Sequence, residues 1–349
     1  MTDDIDSLRV PLRPVDRRGF LRGTLAVSAG GALLAAGCSS GGGSAKTPTA
    51  GAASTAEAGA SPTAGSAAPD ATANASGITP YLLTQEFVTR QDSRFAVGLL
   101  DKGGKFVNGA AVHLKFFSIG GADASTGVLK GEGDAAFREL KIAGAHAHDK
   151  SAQGVAADDS VSFYVADTQF SNAGKWGVEV SARLADGSAS ATIQAPFTVL
   201  AKPLSPGVGT VPPASKNDTF ATNSNTESLC SRTPACPLHD KVIGDLLGKG
   251  RPLVVIFSTP AFCTSRFCGP VLEVLLDKAP AYQDRVDFVH IEVWQDFQLQ
   301  KHRAAADEWN LPTEPYTFFM DKTGKILAKI EAIFTGDELV SVLDALVKA

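Results

Sequence analysis

The chain has 349 residues, long enough for two domains or one large one. Its 37 acidic residues against 32 Lys and Arg leave a net charge of −5, and no basic tract lies beyond the N-terminal region, which argues against nucleic acid as a partner. Four of the five cysteines, Cys230, Cys236, Cys263 and Cys268, fall between positions 230 and 268, so thiol chemistry is expected there.

The first 38 residues read as a targeting signal to be left out of fold reasoning. Arg17-Arg18-Gly19-Phe20-Leu21-Arg22 resembles the twin-arginine export signature, with Asp16 where Ser or Thr is usual. The apolar stretch from Thr24 to Ala36 is too short to span a bilayer of ~30 Å at about 1.5 Å per residue. It ends in Leu33-Leu34-Ala35-Ala36-Gly37-Cys38, which resembles a lipobox with Cys38 as the lipidated residue. These resemblances imply a protein anchored by lipid to the extracytoplasmic face of the cell membrane, where cysteines tend toward disulfides or managed redox pairs.

Residues 39–79 are expected to form a disordered tether. From 39 to 77 they are Ala, Gly, Ser, Thr and Pro apart from Lys46, Glu57, Asp70 and Asn74, and so cannot offset their ordering entropy. As a flexible coil the stretch would span roughly 35 Å.

Residues 80–200 read as an all-β sandwich. Val112, Leu114 and Phe116 alternate with His113, Lys115 and Phe117, and Trp176, Val178 and Val180 alternate with Gly177, Glu179 and Ser181. Val161 to Val165 and Phe197 to Leu200 complete the strand pattern, and turns fall at Asp101-Lys102-Gly103-Gly104 and Ala185-Asp186-Gly187. The stretch Gly174-Lys175-Trp176-Gly177-Val178 resembles immunoglobulin-like domains of exported bacterial proteins. His146 and His148 share a loop without a third spaced ligand, so solvated side chains are expected rather than a metal site; His113 reads as surface.

Residues 201–228, with Pro203, Pro206, Pro212 and Pro213, read as a second linker. The pattern then becomes α/β over 229–349. A short helix is expected from Leu238 to Leu247, a buried strand from Leu253 to Phe257, a helix opened by the Cys263/Cys268 pair and running to Lys278, and a strand from Val286 to Val293. Helix is expected again from Phe297 to Trp309, then a hairpin of Tyr316–Met320 and Ile326–Ile330 around Asp321-Lys322-Thr323-Gly324, and a last helix from Asp337 to Val347.

This βαβαββα order, with a cysteine pair between the first strand and its helix, resembles the thioredoxin fold. Leu311-Pro312-Thr313-Glu314-Pro315-Tyr316 is similar to the family's segment in which a cis-proline enters the final hairpin, and the resemblance implies that Pro315 lies against the redox pair and shapes the substrate groove. The family pair is Cys-x-x-Cys, whereas Cys263 and Cys268 are five residues apart. In a regular helix that separation rises ~7.5 Å, beyond the ~7 Å limit for a disulfide. Cys263 must therefore sit in the loop before the helix, or the first turn must unwind on oxidation. Thr259 to Thr264 also resembles the peroxiredoxin cysteine loop, although Pro260 stands where that family has Thr. Ile256 occupies the strand position where many thioredoxins bury an acid.

These readings converge on a membrane-anchored thiol–disulfide oxidoreductase acting on protein disulfides or dithiols, with an unidentified electron donor and no cofactor. Cys263, near the helix start and beside Arg266, is expected to be the low-pKa nucleophile, and Cys268 to resolve the mixed disulfide. Cys230 and Cys236 read as a local structural disulfide, or as a relay to the first pair. No metal site is assigned, because neither spacing is a zinc knuckle followed by a partner pair. Three other functions stay open: a redox-silent binding or scaffold lipoprotein, peroxide reduction, and copper handling by thiolates, with His239 or His290 as a third ligand.

Overall fold

A computed structural model describes residues 13–14, 77–120, 127–141, 160–189, 192–263, 265 and 267–349. Arg17, Arg18, Cys38 and most of the expected tether lie outside the described residues, as do His146, His148 and Arg266. No helix among the described residues is long and apolar enough to cross a membrane.

The first half is a curled sheet of β1 (Arg13–Pro14), β2 (Thr79–Leu82), β3 (Phe87–Val88), β4 (Asp92–Leu100), β5 (Ala111–Ile119), β6 (Val128–Leu140), β7 (Val161–Gln169), β8 (Gly174–Arg183) and β9 (Ile193–Leu200). The strands run in the order β2-β4-β7-β6-β5-β8-β9-β3, with β1 paired to β6. All neighbours are antiparallel except β3 and β9. The long β6 turns the sheet on itself: its first part, to Ala135, pairs with β5, and Ala136 to Leu140 pair with β7. Between the two layers lie Phe95, Val97, Leu99, Val112, Leu114, Phe116, Trp176, Val178 and Val180. The buried Tyr164 has its hydroxyl satisfied, donating to the Val107 carbonyl and accepting from the Ala110 N–H, each at 3.0 Å.

The second half is built on a four-stranded sheet in the order β11-β10-β14-β15, made of β10 (Leu253–Ser258), β11 (Asp287–Glu292), β14 (Tyr316–Met320) and β15 (Ile326–Glu331). Strands β10 and β11 are parallel and joined through α3 (Cys268–Lys278) and a 3-10 turn, Ala279–Ala281; the other pairs are antiparallel. Short helices α1 (Thr226–Leu229) and α2 (Ile243–Leu246) precede the sheet, and α5 (Gly336–Lys348) closes the chain. Every residue of β10 is buried: Val254 and Ile256 face α3 and α5, while Leu253, Val255 and Phe257 join Trp309, Phe318 and Ile291 on the other side. A strand covered on both faces explains its unbroken apolar run.

Helix α5 begins with a capping box. Thr335 Oγ1 accepts from the Glu338 N–H, and Glu338 Oε2 accepts from the Thr335 N–H at 2.9 Å. Leu339, Leu343 and Leu346 then form its buried stripe. The hairpin turn is tied by Asp321 Oδ1, which accepts from Thr323 N–H at 2.8 Å and Lys325 N–H at 3.0 Å, and Gly324 supplies the required φ of +87°.

Two segments differ from the pattern expected. The helix expected from Phe297 to Trp309 is a turn-rich excursion with β12 (Trp294–Asp296) and β13 (Lys301–His302), followed by α4 (Ala304–Glu308). Asp296 Oδ1 accepts from the Leu299 N–H, Gln300 has φ +51°, and the Phe297 ring stacks on Phe262. These side-chain and ring contacts displace the helical ladder. The helix expected from Leu238 is confined to α2. Before it, the Leu238 carbonyl accepts from the His290 N–H of β11 and the His239 carbonyl accepts from Phe220, so the chain there is bound to the sheet edge.

Residues 201–228, read as a linker, run along the second half. Gly209 N–H and Ile326 N–H bond to Ile326 and Thr210 carbonyls, Trp309 Nε1 donates to Ser215 Oγ at 3.0 Å, and the Ile243 N–H donates to Asn217 Oδ1. The two halves also share a core. Ala96, Leu140, Val161, Phe163 and Val165, on the outer face of β4, β6 and β7, cluster with Val271, Leu272, Leu275 and Leu339 of α3 and α5.

Polar groups tie the same junction. Arg94 of β4 donates through Nη2 to Glu338 Oε1 at 2.9 Å, so the carboxylate that caps α5 also holds the curled sheet. Lys329 of β15 pairs with the buried Glu86, and Glu86 N–H donates to Glu331 Oε2 at 3.0 Å. Burial, together with the nearby Glu86 charge, pushes Glu331 up to about 7. A carboxyl raised in the folded state contributes most stability below its unfolded pKa, and that contribution is lost as pH rises through the folded value. Stability should therefore fall by about 3 kcal/mol between pH 4.5 and pH 8 on account of this group. Denaturant titrations across that range should show the fall in the native chain and its absence in Glu331→Gln.

Candidate functional site

Both cysteine pairs lie at the C-terminal end of β10 and β11, where strands give way to loops and side chains converge. Ser258 ends β10, the loop 259–267 follows, and α3 starts at Cys268 with Phe267 at its N-cap. Cys263 is thus in the loop, the first of the two arrangements that the five-residue spacing permits. All four cysteines are free thiols.

Cys263 is half-buried and Cys268 fully buried. The Cys268 N–H, one of the free donors at the start of α3, donates to Cys263 Sγ at 3.2 Å. Ser265 Oγ lies 3.2 Å from the same sulfur and donates to the Glu314 carbonyl at 3.0 Å. Through that bond the cysteine loop is fastened to the segment entering β14, where Glu314 precedes Pro315 across a cis peptide. Burial raises the Cys263 pKa, but the hydrogen bonds from the Cys268 thiol and the Cys268 N–H, with the Ser265 hydroxyl also in contact, outweigh it, and the net position is below that of an ordinary thiol. Burial and the adjoining Cys263 push Cys268 well up. One thiol of the pair is half-buried with its pKa lowered; the other is enclosed with its pKa raised.

Cys230 follows α1, and Cys236 lies six residues further on. The two sulfurs are close but not bonded, in place of the disulfide expected from the sequence. His290 of β11 turns Nδ1 toward them, 3.3 Å from Cys236 Sγ and 3.8 Å from Cys230 Sγ. Its Nε2 lies 2.8 Å from Ser258 Oγ and 3.2 Å from the Ser258 carbonyl. The His239 ring completes the group, with its centroid 4.6 Å from that of His290. The Cys236 thiol bonds to Cys230 and holds the Cys230 pKa far down, while Cys236 is driven up. Burial lowers His239. It also opposes the charge on His290, where the Cys230 contact and Glu292 prevail and raise the pKa.

Ser231 joins the two sites. Its Oγ accepts from the Ala261 N–H of the Cys263 loop at 3.1 Å and donates to the buried Glu292 at 2.7 Å. A cavity of about 210 Å³ opens beside His239 and His290, with Glu292 and Arg303 on its wall. His290 and His239 were legible only as isolated candidates. The sequence signals that mark them are a histidine flanked by Phe288, Val289 and Ile291 in a strand and the Cys-x2-His spacing of Cys236 and His239.

No family model matches the chain, and no curated protein matches it. Among solved structures it is similar to a presumed protein disulfide isomerase from Bacteroides thetaiotaomicron, at 12% identity over 41% of this chain and 92% of that one, with a TM-score of 0.29. The PmoD soluble domain of a Methylocystis species matches at 11% identity over 35% and 90% of the two chains, with a TM-score of 0.18. A mutant of the SrpA adhesin of Streptococcus sanguinis matches at 13% identity over 46% and 79%, with a TM-score of 0.19. At these scores the likenesses establish neither fold family nor function.

The asymmetry of the Cys263/Cys268 pair is directly measurable. In the reduced protein, Cys263 should alkylate fastest, with a midpoint below that of a free thiol, while Cys268 stays protected until unfolding. Because the Glu314 charge raises Cys263, Glu314→Gln should move that midpoint to lower pH. Equal alkylation rates for both cysteines would contradict the assignment.

Proposed function

We propose that the chain is a thiol–disulfide oxidoreductase whose reactive pair is Cys263 and Cys268. In this reading the second half is a thioredoxin-like domain and the curled sheet an immunoglobulin-like one. The observation that carries the proposal is the pairing of a half-buried, hydrogen-bonded Cys263 sulfur with an enclosed Cys268 whose N–H reaches it at 3.2 Å.

Each step balances. The Cys263 thiolate attacks one sulfur of a substrate disulfide, forming a mixed disulfide and releasing the other sulfur as a thiolate, which takes a proton. Cys268 then gives up its proton, which balances the one taken by the released thiolate, and attacks Cys263 Sγ. The Cys263–Cys268 disulfide forms, the substrate's second thiolate leaves, and two electrons have passed to the substrate. A dithiol donor restores the pair by the same exchange in reverse. The helix N-terminus stabilises the Cys263 thiolate whenever it is the leaving group or the nucleophile. Pro315 follows Glu314, whose carbonyl anchors the loop through Ser265, so the segment preceding β14 is the natural wall of the substrate groove.

Disulfide mapping with a redox titration tests this. A Cys263–Cys268 bond should form and titrate reversibly within the range of known exchange proteins, roughly −120 to −270 mV. Cys263→Ser should reduce turnover of a model protein disulfide to background, and Cys268→Ser should trap a mixed disulfide at Cys263. If the bond never forms, or Cys263 resists alkylation after reduction, the oxidoreductase reading fails.

The export and anchoring pattern at Arg17, Arg18 and Cys38 places this activity, in the same proposal, on the extracytoplasmic membrane face, acting on disulfides of exported proteins. Membrane fractionation of cells making Cys38→Ala should find the protein released into the soluble fraction; an unchanged distribution rejects the anchor.

A further inference from the structure

Four side chains with soft or borderline donor atoms meet beside the redox loop and take no part in the exchange just described. Cys230, Cys236, His239 and His290 are all buried, at 2%, 0%, 2% and 0% exposure. Their donor atoms all lie within 4.8 Å of one another. A tetrahedron built on metal–sulfur bonds of about 2.3 Å and metal–nitrogen bonds of about 2.0 Å has sulfur–nitrogen edges of roughly 3.5 Å. The two such edges that His290 Nδ1 makes with the sulfurs are 3.3 Å and 3.8 Å.

Two further observations point to a ligand. His290 Nε2 lies within hydrogen-bonding distance of the Ser258 carbonyl, an acceptor only, so the ring proton belongs on Nε2. That tautomer turns the Nδ1 lone pair to the sulfurs, the arrangement in which an outer hydrogen bond orients a metal-binding histidine. His239 Nε2 is buried with no hydrogen-bond partner among the described residues. A buried polar atom left unsatisfied is costly, and an ion at the centre of the group would satisfy it.

We propose that Cys230, Cys236, His239 and His290 form a closed Cys2His2 site for a soft d10 cation, and that the cation is Zn2+. Charge balance selects the ion. Two thiolates, two neutral imidazoles and Zn2+ sum to zero, whereas Cu(I) on the same donors leaves a net negative charge in a buried place. Zn2+ exchanges its waters for the four donors, and the two thiol protons leave to solvent. The cavity beside His239 and His290 supplies the way in. The ion would pin residues 230–239, which have little regular structure, to β11. Through the 3.1 Å bond between Ala261 N–H and Ser231 Oγ it would also steady the Cys263 loop. The site does not depend on the redox activity proposed for Cys263 and Cys268.

The full chain, reduced and kept free of oxygen, is titrated with Co2+ and then Zn2+. One equivalent of Co2+ should give tetrahedral visible bands with thiolate charge transfer, and one equivalent of Zn2+ should abolish them and raise Tm by about 5 °C. The double variant Cys263→Ser/Cys268→Ser should bind as the native chain does, which keeps this test separate from that of the redox pair. Cys236→Ser and His290→Ala should lose the signal. Should either fail to fold by circular dichroism, His239→Ala, which removes a donor at the cavity wall, should weaken Zn2+ binding at least about tenfold. Three results overturn the proposal: less than stoichiometric Zn2+ on the reduced chain, binding that survives loss of both Cys230 and Cys236, or stoichiometric Cu(I) with no uptake of Zn2+.

Discussion

Helix α3 has to satisfy two sheets at once. Val271, Leu272 and Leu275 are buried in one cluster that contains Val254 and Ile256 of the four-stranded sheet and Ala96, Phe163 and Val165 of the curled sheet. At the start of the helix Phe267 sits against Tyr81 and Phe106 of the curled sheet, with ring centroids 6.4 and 6.1 Å away. The apolar outer face of β4 and β7 would otherwise meet water, and the helix would lose one of its two packing partners. Cys268 is the first residue of that doubly covered helix and is itself fully buried, with its N–H on Cys263 Sγ. The ion pairs Arg94–Glu338 and Lys329–Glu86 cross the same junction.

The far end of the four-stranded sheet then carries two thiol pairs with opposite character. The loop after β10 holds Cys263 half-buried against the Cys268 N–H at the start of α3, a contact that favours thiolate over thiol. The loop after α1 turns Cys230 and Cys236 inward against two imidazoles, where reaction with a protein substrate is sterically shut off. Ser231 and Glu292 stand between them, so the geometry of one loop is conditioned by the other. A single sheet end thus accommodates a half-buried thiol pair and an enclosed cluster of two cysteines and two histidines because β10 and β11 end together and each contributes a polar residue, Ser258 and His290.

Much of the second half was legible because its signals are local. The apolar run of β10, the Asp321–Gly324 turn, and the stripe Leu339, Leu343 and Leu346 behind Thr335 and Glu338 are fixed by nearest-neighbour chemistry. The region after Trp294 was not legible. Its helical periodicity competes with the Asp296 turn and the stacking of Phe297 on Phe262, a residue 35 positions away. The stretch Val161 to Val165 carried a signal that alternation obscured: Val161, Phe163 and Val165 face the helices while Tyr164 faces the other layer, so the strand is covered on both sides. Residues 201–228 have the composition of a linker, yet their backbone groups find partners in the neighbouring sheet and helices.

Local chemistry marked most of the elements of the second half, the position of Cys263 and Cys268 at the passage from a buried strand to its helix, and the requirement that Cys263 stand outside that helix. Those properties depend on residues close together in the chain and on the rise of a helix. Only long-range contacts set which thiol of the pair is enclosed, how the two halves share a core, and which residues surround Cys230 and Cys236. His290 reaches the cysteines from 54 residues away only because β11 lies beside β10 and the segment at Leu238 is bonded to its edge. Spacing along the chain describes a reactive pair well, since its geometry is local. A ligand set drawn from a loop and a strand is defined by the sheet that brings them together.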